Sequence, residues 1–265
     1  MYATNYHRAA SVSEPASLFA GGAEAQYVSG GMTLIPTMKQ RLAAPGDLVD
    51  LRHIPDMKGI AIDGRRVRIG AAVTHAEVAA SSQLATVCPA VCRLAGMIGD
   101  PHVRHMGTIG GSVANNDPAA DYPAAMLALA ATIVTSQREI AADDFFTGLF
   151  ETALEEGEIV VALAFDAPEK AGYAKFRNPA SRYAMTGVFV AKASGNVRVA
   201  VTGAGSDGVF RQGDMEAALS ANWSTDALSG VTVDPGGLIS DLHGDAEYRA
   251  NLVKVMAKRA LAAAG

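Results

Sequence analysis

Thr108-Ile109-Gly110-Gly111-Ser112-Val113-Ala114-Asn115-Asn116-Asp117-Pro118-Ala119-Ala120-Asp121-Tyr122-Pro123 is the stretch on which the reading of this chain turns. Paired glycines carry no Cβ, reach positive φ and let backbone N–H groups approach a large anion closely, which suits a loop that wraps a pyrophosphate. Thr108 and Ser112 add hydroxyls beside the glycines. Asp121 stands just before an Ala/Leu-rich run, 124–131, that reads as a helix. Its carboxylate there either caps that helix or accepts hydrogen bonds from a sugar or sugar alcohol.

A second pair lies upstream, in Ser29-Gly30-Gly31-Met32-Thr33-Leu34-Ile35-Pro36. It follows the strand-like Gln26-Tyr27-Val28 and opens an apolar segment, 33–42, with Lys39 and Arg41 near its end. Strand, glycine turn and helix start aim unsatisfied amides and a positive helix end at phosphate. Either pair alone also fits an ordinary tight turn; together they read as two halves of one nucleotide cradle.

The run from His105-Met106-Gly107 through Pro123 resembles the second flavin motif of the FAD-binding medium subunits of molybdenum hydroxylases, the xanthine dehydrogenase and aerobic carbon monoxide dehydrogenase family. The first turn resembles that family's Ala-Gly-Gly motif, with Ser29 where alanine is more usual. Lys175-Phe176-Arg177-Asn178-Pro179-Ala180-Ser181-Arg182-Tyr183-Ala184-Met185 resembles the family's entry into its C-terminal domain. The three motifs, in order, cover essentially the whole chain.

The resemblance implies a fold and a set of roles. The fold is α+β: a two-part FAD-binding domain of the vanillyl-alcohol-oxidase/PCMH type over 1–168, with subdomains of about 1–55 and 56–168. A small α/β C-terminal domain with an antiparallel sheet follows over 169–265. Val28, Ser29, Gly30, Gly31, Met32, Thr33, Leu34 and Ile35 would hold the FAD pyrophosphate from one side, and Thr108, Ile109, Gly110, Gly111 and Ser112 from the other. Asp121 would bind ribityl or adenosine hydroxyls. Ile98, Val103, Gly107, Ile159 and Val160 would lie against the cofactor, Lys175 or Arg177 would face the isoalloxazine edge, and Tyr183 is either a ring neighbour or a core residue.

The flavin carries the redox chemistry and the protein supplies binding and orientation. The family implies non-covalent FAD here, with the molybdenum cofactor in a large partner and iron–sulfur clusters in a small one, assembled as a dimer of heterotrimers. Electrons would pass from substrate through the clusters to this FAD and on to NAD, a quinone or dioxygen. No catalytic residue for substrate oxidation is assigned in this chain. His102 and His105 lie near the second motif, but the family's non-covalent habit sets covalent attachment aside. Asn115-Asn116-Asp117 and His105-Met106 lean toward the carbon monoxide dehydrogenase-like branch. A free-standing FAD-dependent reductase of the same superfamily and a flavin-free assembly subunit are the alternative classes.

Composition agrees with this picture. The 265 residues are 49% hydrophobic, enough for real cores, and the net charge of −5 argues against a nucleic-acid surface. No run approaches the ~20 apolar residues of a membrane span, and 1–10 lacks an apolar signal core, so a cytoplasmic protein is expected. Cys88 and Cys92, four apart, cannot complete a four-thiolate cluster and read as core packing. Gly203-Ala204-Gly205-Ser206-Asp207-Gly208 fits G-x-G-x-x-G, but the next helical pattern starts only near Met215, so a strand running into a loop is the better account.

The remaining pattern is local. Glu14–Ala20 reads as a helix and Leu48–Leu51 as a strand. Ile60-Ala61-Ile62 and Val67-Arg68-Ile69 flank a hairpin turn at Asp63-Gly64-Arg65-Arg66. Thr74 with Glu77 forms a capping box for a helix to Ala80, and another helix follows from Pro89 to Met97. Strands are expected at 132–135, 139–142, 159–165, 187–193 and 197–202, a polar boundary loop at 166–172, and an amphipathic helix at 245–264.

Overall fold

The computed structural model describes residues 1–22 and 24–264; the expected domain end at Gly265 lies outside them. Three sheets and a small hairpin organise the described residues. The first sheet is parallel: β1 (Asn5–Arg8) and β2 (Gln26–Val28) both pair with β3 (Asp47–Asp50). Parallel neighbours need crossovers, and helices Glu14–Gly21 and Leu34–Lys39 supply them. β1 has no apolar alternation, and sequence reading misses it. Polar side chains hold it instead: the Tyr6 hydroxyl donates to Asp50 at 2.6 Å, and His7 Nε2 lies 2.6 Å from Asp47.

The second sheet is antiparallel, in the order β4 (Ile60–Asp63), β5 (Arg66–Gly70), β10 (Val160–Asp166), β6 (Thr132–Thr135), β7 (Glu139–Ala141). β10 is buried from Val160 to Phe165, which is why its text is a continuous apolar run. The hairpin β8 (Phe146–Gly148) and β9 (Glu151–Thr152) stands apart. Helices His75–Ala80, Pro89–Gly96, Ile109–Asn115 and Tyr122–Ala128 pack with this sheet around the main core. Thr74 and Glu77 exchange both bonds of the capping box. Cys88 and Cys92 are buried in that core, and burial pushes the Cys88 thiol up to about 12.

The third sheet is antiparallel, β11 (Lys170–Arg177), β12 (Ala184–Ala193), β13 (Asn196–Thr202) and β14 (Phe210–Arg211). Val188, Val190, Val199 and Val201 meet Met215 of helix Gly213–Ala221 and Val253 and Met256 of helix Ala246–Ala262. Asp245 caps the last helix through the Tyr248 N–H. The expected boundary loop is shorter than its polar text suggests, because Lys170–Gly172 is already strand. Gly172 sits so close to the last helix that a Cβ there would fall on the Ala260 carbonyl. The Gly203–Gly208 motif runs from β13 through a loop to β14, and the next helix opens only at Gly213, so it opens no helix inside the glycine run. No helix among the described residues is long and apolar enough to cross a membrane.

Candidate flavin cavity

The two glycine turns, far apart in sequence, touch. Ser29 Oγ and Thr108 Oγ1 are 2.9 Å apart. Gly30 is pressed onto the other turn: a Cβ there would collide with the Met106 carbonyl and the Gly107 Cα. Gly31 has φ +68°, a conformation that favours glycine. The chain then enters helix Leu34–Lys39, and the N–H groups of Gly30, Gly31, Met32, Thr33 and Leu34 donate to no protein acceptor among the described residues. Five successive unpaired amides on one wall form a donor-rich concavity.

The second turn works differently from the sequence expectation. The Ile109 and Gly110 N–H groups bond back to the Val73 and Ala71 carbonyls, at 3.0 and 2.9 Å. The Gly111 N–H donates to Thr108 Oγ1 at 3.2 Å, capping helix Ile109–Asn115. A Cβ on Gly110 would fall on Ala71, so this glycine permits close packing of the motif against the segment after β5 and does not offer its amide to a ligand.

Between the turns lies a cavity of about 750 Å³. Val28 to Leu34 form one wall and Gly107, Thr108 and Gly110 to Ser112 the other, with Ile98, Val103, Asp121, Ile159, Val160 and Tyr183 completing it. Of the residues assigned from sequence, Ile35 and Ile109 do not reach the cavity: Ile35 packs with Val28, Met38 and Leu48, and Ile109 is fully buried. Neither Lys175 nor Arg177 lines it either. Arg177 is at the exposed end of β11, whereas Lys175 Nζ is 2.9 Å from the Asp121 carboxylate.

Asp121 does not cap helix Tyr122–Ala128. Its carboxylate accepts from the Tyr173 hydroxyl and from Lys175. Burial pushes this carboxyl up, and the Lys175 ammonium and Tyr173 hydroxyl oppose that shift. The loop before it is held from the C-terminal sheet: the Gly203 N–H and Thr202 hydroxyl donate to the Pro118 carbonyl at 2.8 and 3.0 Å. Tyr183 is 49% exposed, which removes the core reading and leaves it on the cavity wall. Its loop is closed by Asn178 N–H to Tyr183 carbonyl and Arg182 N–H to Asn178 carbonyl bonds, both 2.8 Å.

Tyr27, Glu158, Asp100 and His75 are among the wall residues not found by sequence reasoning. Tyr27, on the wall, donates to the Gly157 carbonyl at 2.9 Å. Glu158 accepts from Thr135 at 2.5 Å and from Arg138 at 3.1 Å. Asp100 caps the helix Pro101–Met106 through the Val103 N–H, and its Asp-Pro dipeptide is a signal that could have located it. His75 is only 5% exposed, its Nδ1 is buried without a partner among the described residues, and burial, with Arg104 nearby, pushes its pKa down to about 4.

This parallel-plus-antiparallel architecture around an anion-ready cavity defines a PCMH-type flavin-binding fold, and comparison with known proteins agrees. Residues 2–166 match the family model described as the FAD binding domain in molybdopterin dehydrogenase. The chain is 34% identical over 276 residues to the carbon monoxide dehydrogenase medium chain of Hydrogenophaga pseudoflava, covering 98% of this chain and 96% of that one. It is 31% identical to the nicotine 6-hydroxylase medium subunit of Paenarthrobacter nicotinovorans, covering 99% and 98%. The solved carbon monoxide dehydrogenase of Oligotropha carboxidovorans superposes with a TM-score of 0.88 at 32% identity, over 99% of this chain and 97% of that one. The chain belongs to the FAD-binding medium subunits of the molybdenum hydroxylase family. It is an oxidoreductase subunit whose own cofactor is FAD.

Proposed function

We propose that this chain holds FAD non-covalently in the cavity between the two glycine turns, receives electrons from a small iron–sulfur partner and passes them to NAD, a quinone or dioxygen. The observation that carries this reading is the row of N–H groups from Gly30 to Leu34, unpaired among the described residues, on the wall of the cavity. Donors without acceptors fit a pyrophosphate, which has acceptors without donors. Gly31, Met32 and Thr33 would bind it, with Ser29 and Thr108 beside them. Asp121, its carboxylate oriented by Tyr173 and Lys175, would accept from flavin hydroxyls. Ile98, Val103, Ile159 and Val160 would cover apolar faces. When bound, FAD supplies the electron storage; the chain supplies orientation and a dry, donor-lined wall.

His102 and His105 are exposed and off the cavity wall, which supports non-covalent binding. Residues 1–168 form the flavin-binding domain and 169–265 the C-terminal domain of a dimer of heterotrimers working in the cytoplasm. The hydroxylated substrate is chosen in the large partner: relatives of 34% and 31% identity serve carbon monoxide and nicotine enzymes by name. The carbon monoxide dehydrogenase-like branch is the first to assay. Acid precipitation of the purified chain should release all flavin into the supernatant. The isolated chain should oxidise no organic substrate, and its flavin should bleach under substrate only when the two partner chains are added. Turnover by the single chain would overturn the proposal in favour of a free-standing reductase.

A further inference from the structure

The second turn has used its amides: Ile109 and Gly110 donate to Val73 and Ala71, and Gly111 donates to Thr108. Its donor strength nevertheless reaches the cavity by another route. Thr108 Oγ1, having accepted from Gly111, is 2.9 Å from Ser29 Oγ, and Ser29 has no other protein partner among the described residues. Thr108 is only 3% exposed, whereas Ser29 is half-buried on the wall, one residue before the row of free amides. Each hydroxyl has one proton and can also accept. An anion in the cavity offers acceptors alone, so the favoured arrangement sends every proton the same way.

We propose that Gly111 N–H, Thr108 O–H and Ser29 O–H form a one-directional hydrogen-bond chain whose last proton is donated by Ser29 to an anionic oxygen of the cofactor pyrophosphate. Ser29 is thus a binding residue that couples the second turn to the first. Successive bonds in such a chain polarise one another, so the terminal hydroxyl is a stronger donor than an isolated serine. The inference rests on the flavin reading of the cavity and deepens it, because it assigns to one hydroxyl the link between two motifs otherwise joined by packing.

The test uses the full chain stripped of flavin, titrated with FAD and, separately, with ADP, which carries the pyrophosphate without the flavin. Ser29→Ala should weaken both by about tenfold to a hundredfold, the range for a hydrogen bond to a charged acceptor, while the melting temperature of the ligand-free chain stays within a degree or so of wild type. Thr108→Ser keeps the chain of hydroxyls and should bind FAD like wild type. Thr108→Val cuts the chain, and combining it with Ser29→Ala should cost less than the two separate losses multiplied together. Unchanged FAD and ADP affinity in Ser29→Ala would overturn the relay while leaving the flavin site standing. A fall in ligand-free melting temperature matching the loss of affinity would make Ser29 a structural brace and equally overturn it. If the wild-type chain binds no FAD at all, the flavin reading fails and the relay goes with it.

Discussion

Lys175 Nζ lies 2.9 Å from the Asp121 carboxylate, and the lysine side chain has no exposed surface while the aspartate has 4%. The pair joins the loop that precedes helix Tyr122–Ala128 to β11, and Tyr173, two residues along the same strand, completes it. A buried charge without its counterion costs far more than the pair contributes when whole. Asp121 therefore supports the fold and the cavity wall together.

Asp121→Ala should lower the stability of the flavin-free chain by about 3–5 kcal/mol, because Lys175 is left uncompensated. Adding Lys175→Met should recover much of that loss without restoring FAD binding. Denaturant melts and FAD titrations on the same samples separate the two effects. An Asp121→Ala chain as stable as wild type would contradict the pairing argument.

The four motif glycines should divide by their neighbours. Gly30→Ala and Gly110→Ala push a Cβ into backbone of the opposite segment and should each destabilise the flavin-free chain by about 1–3 kcal/mol. Gly111→Ala meets Thr108 Oγ1 at 2.9 Å and Ser29 Cβ at 3.8 Å, so its disturbance falls on the cavity wall, and FAD affinity should drop more than stability. Gly31→Ala adds the strain of φ +68°. Circular dichroism melts across the set give the ordering.

His75 should make the fold sensitive to mild acid. Its pKa is about 4 in the folded chain against 6.5 when free, so the unfolded chain takes up the proton first. The stabilisation is complete above about pH 6.5 and is lost as the pH falls toward 4, by about 3 kcal/mol in all. His75→Gln should flatten that part of the stability profile. An unaltered slope between those pH values would assign the acid sensitivity to other groups.

Tyr27→Phe removes the hydroxyl that ties β2 to the Gly157 carbonyl. The loss of about 1 kcal/mol should appear mainly as a FAD release rate several times faster, since the tie anchors Tyr27, a residue of the cavity wall. Stopped-flow recovery of flavin fluorescence measures it directly.

Much of this was readable from neighbouring letters. The β4–β5 hairpin, the Thr74–Glu77 box and the β12–β13 hairpin are each set by residues within a few positions of one another, and local rules locate them. That the two glycine turns belong together was legible, and they do meet at one cavity; what each glycine is for was not, because Gly110 is explained by Ala71 and Gly30 by Met106. β1 was invisible for a similar reason: its partners, Asp47 and Asp50, come some forty residues later. Glu158 looks like one acidic letter among three and gains meaning only beside Thr135 and Arg138.

The glycine run at Gly203–Gly208, which imitates a nucleotide-binding signature, holds its nearest role at its first residue, where the Gly203 N–H meets the Pro118 carbonyl. The segment that the family model recognises ends at residue 166, yet the loop carrying Asp121 is propped by Thr202 and Gly203 and neutralised by Lys175. The flavin-binding half is thus not a portable module. Anyone grafting it onto another protein would have to transplant the C-terminal sheet as well, and any lineage shortening this chain from its far end would unseat the loop that carries Asp121 long before reaching the glycine motifs themselves.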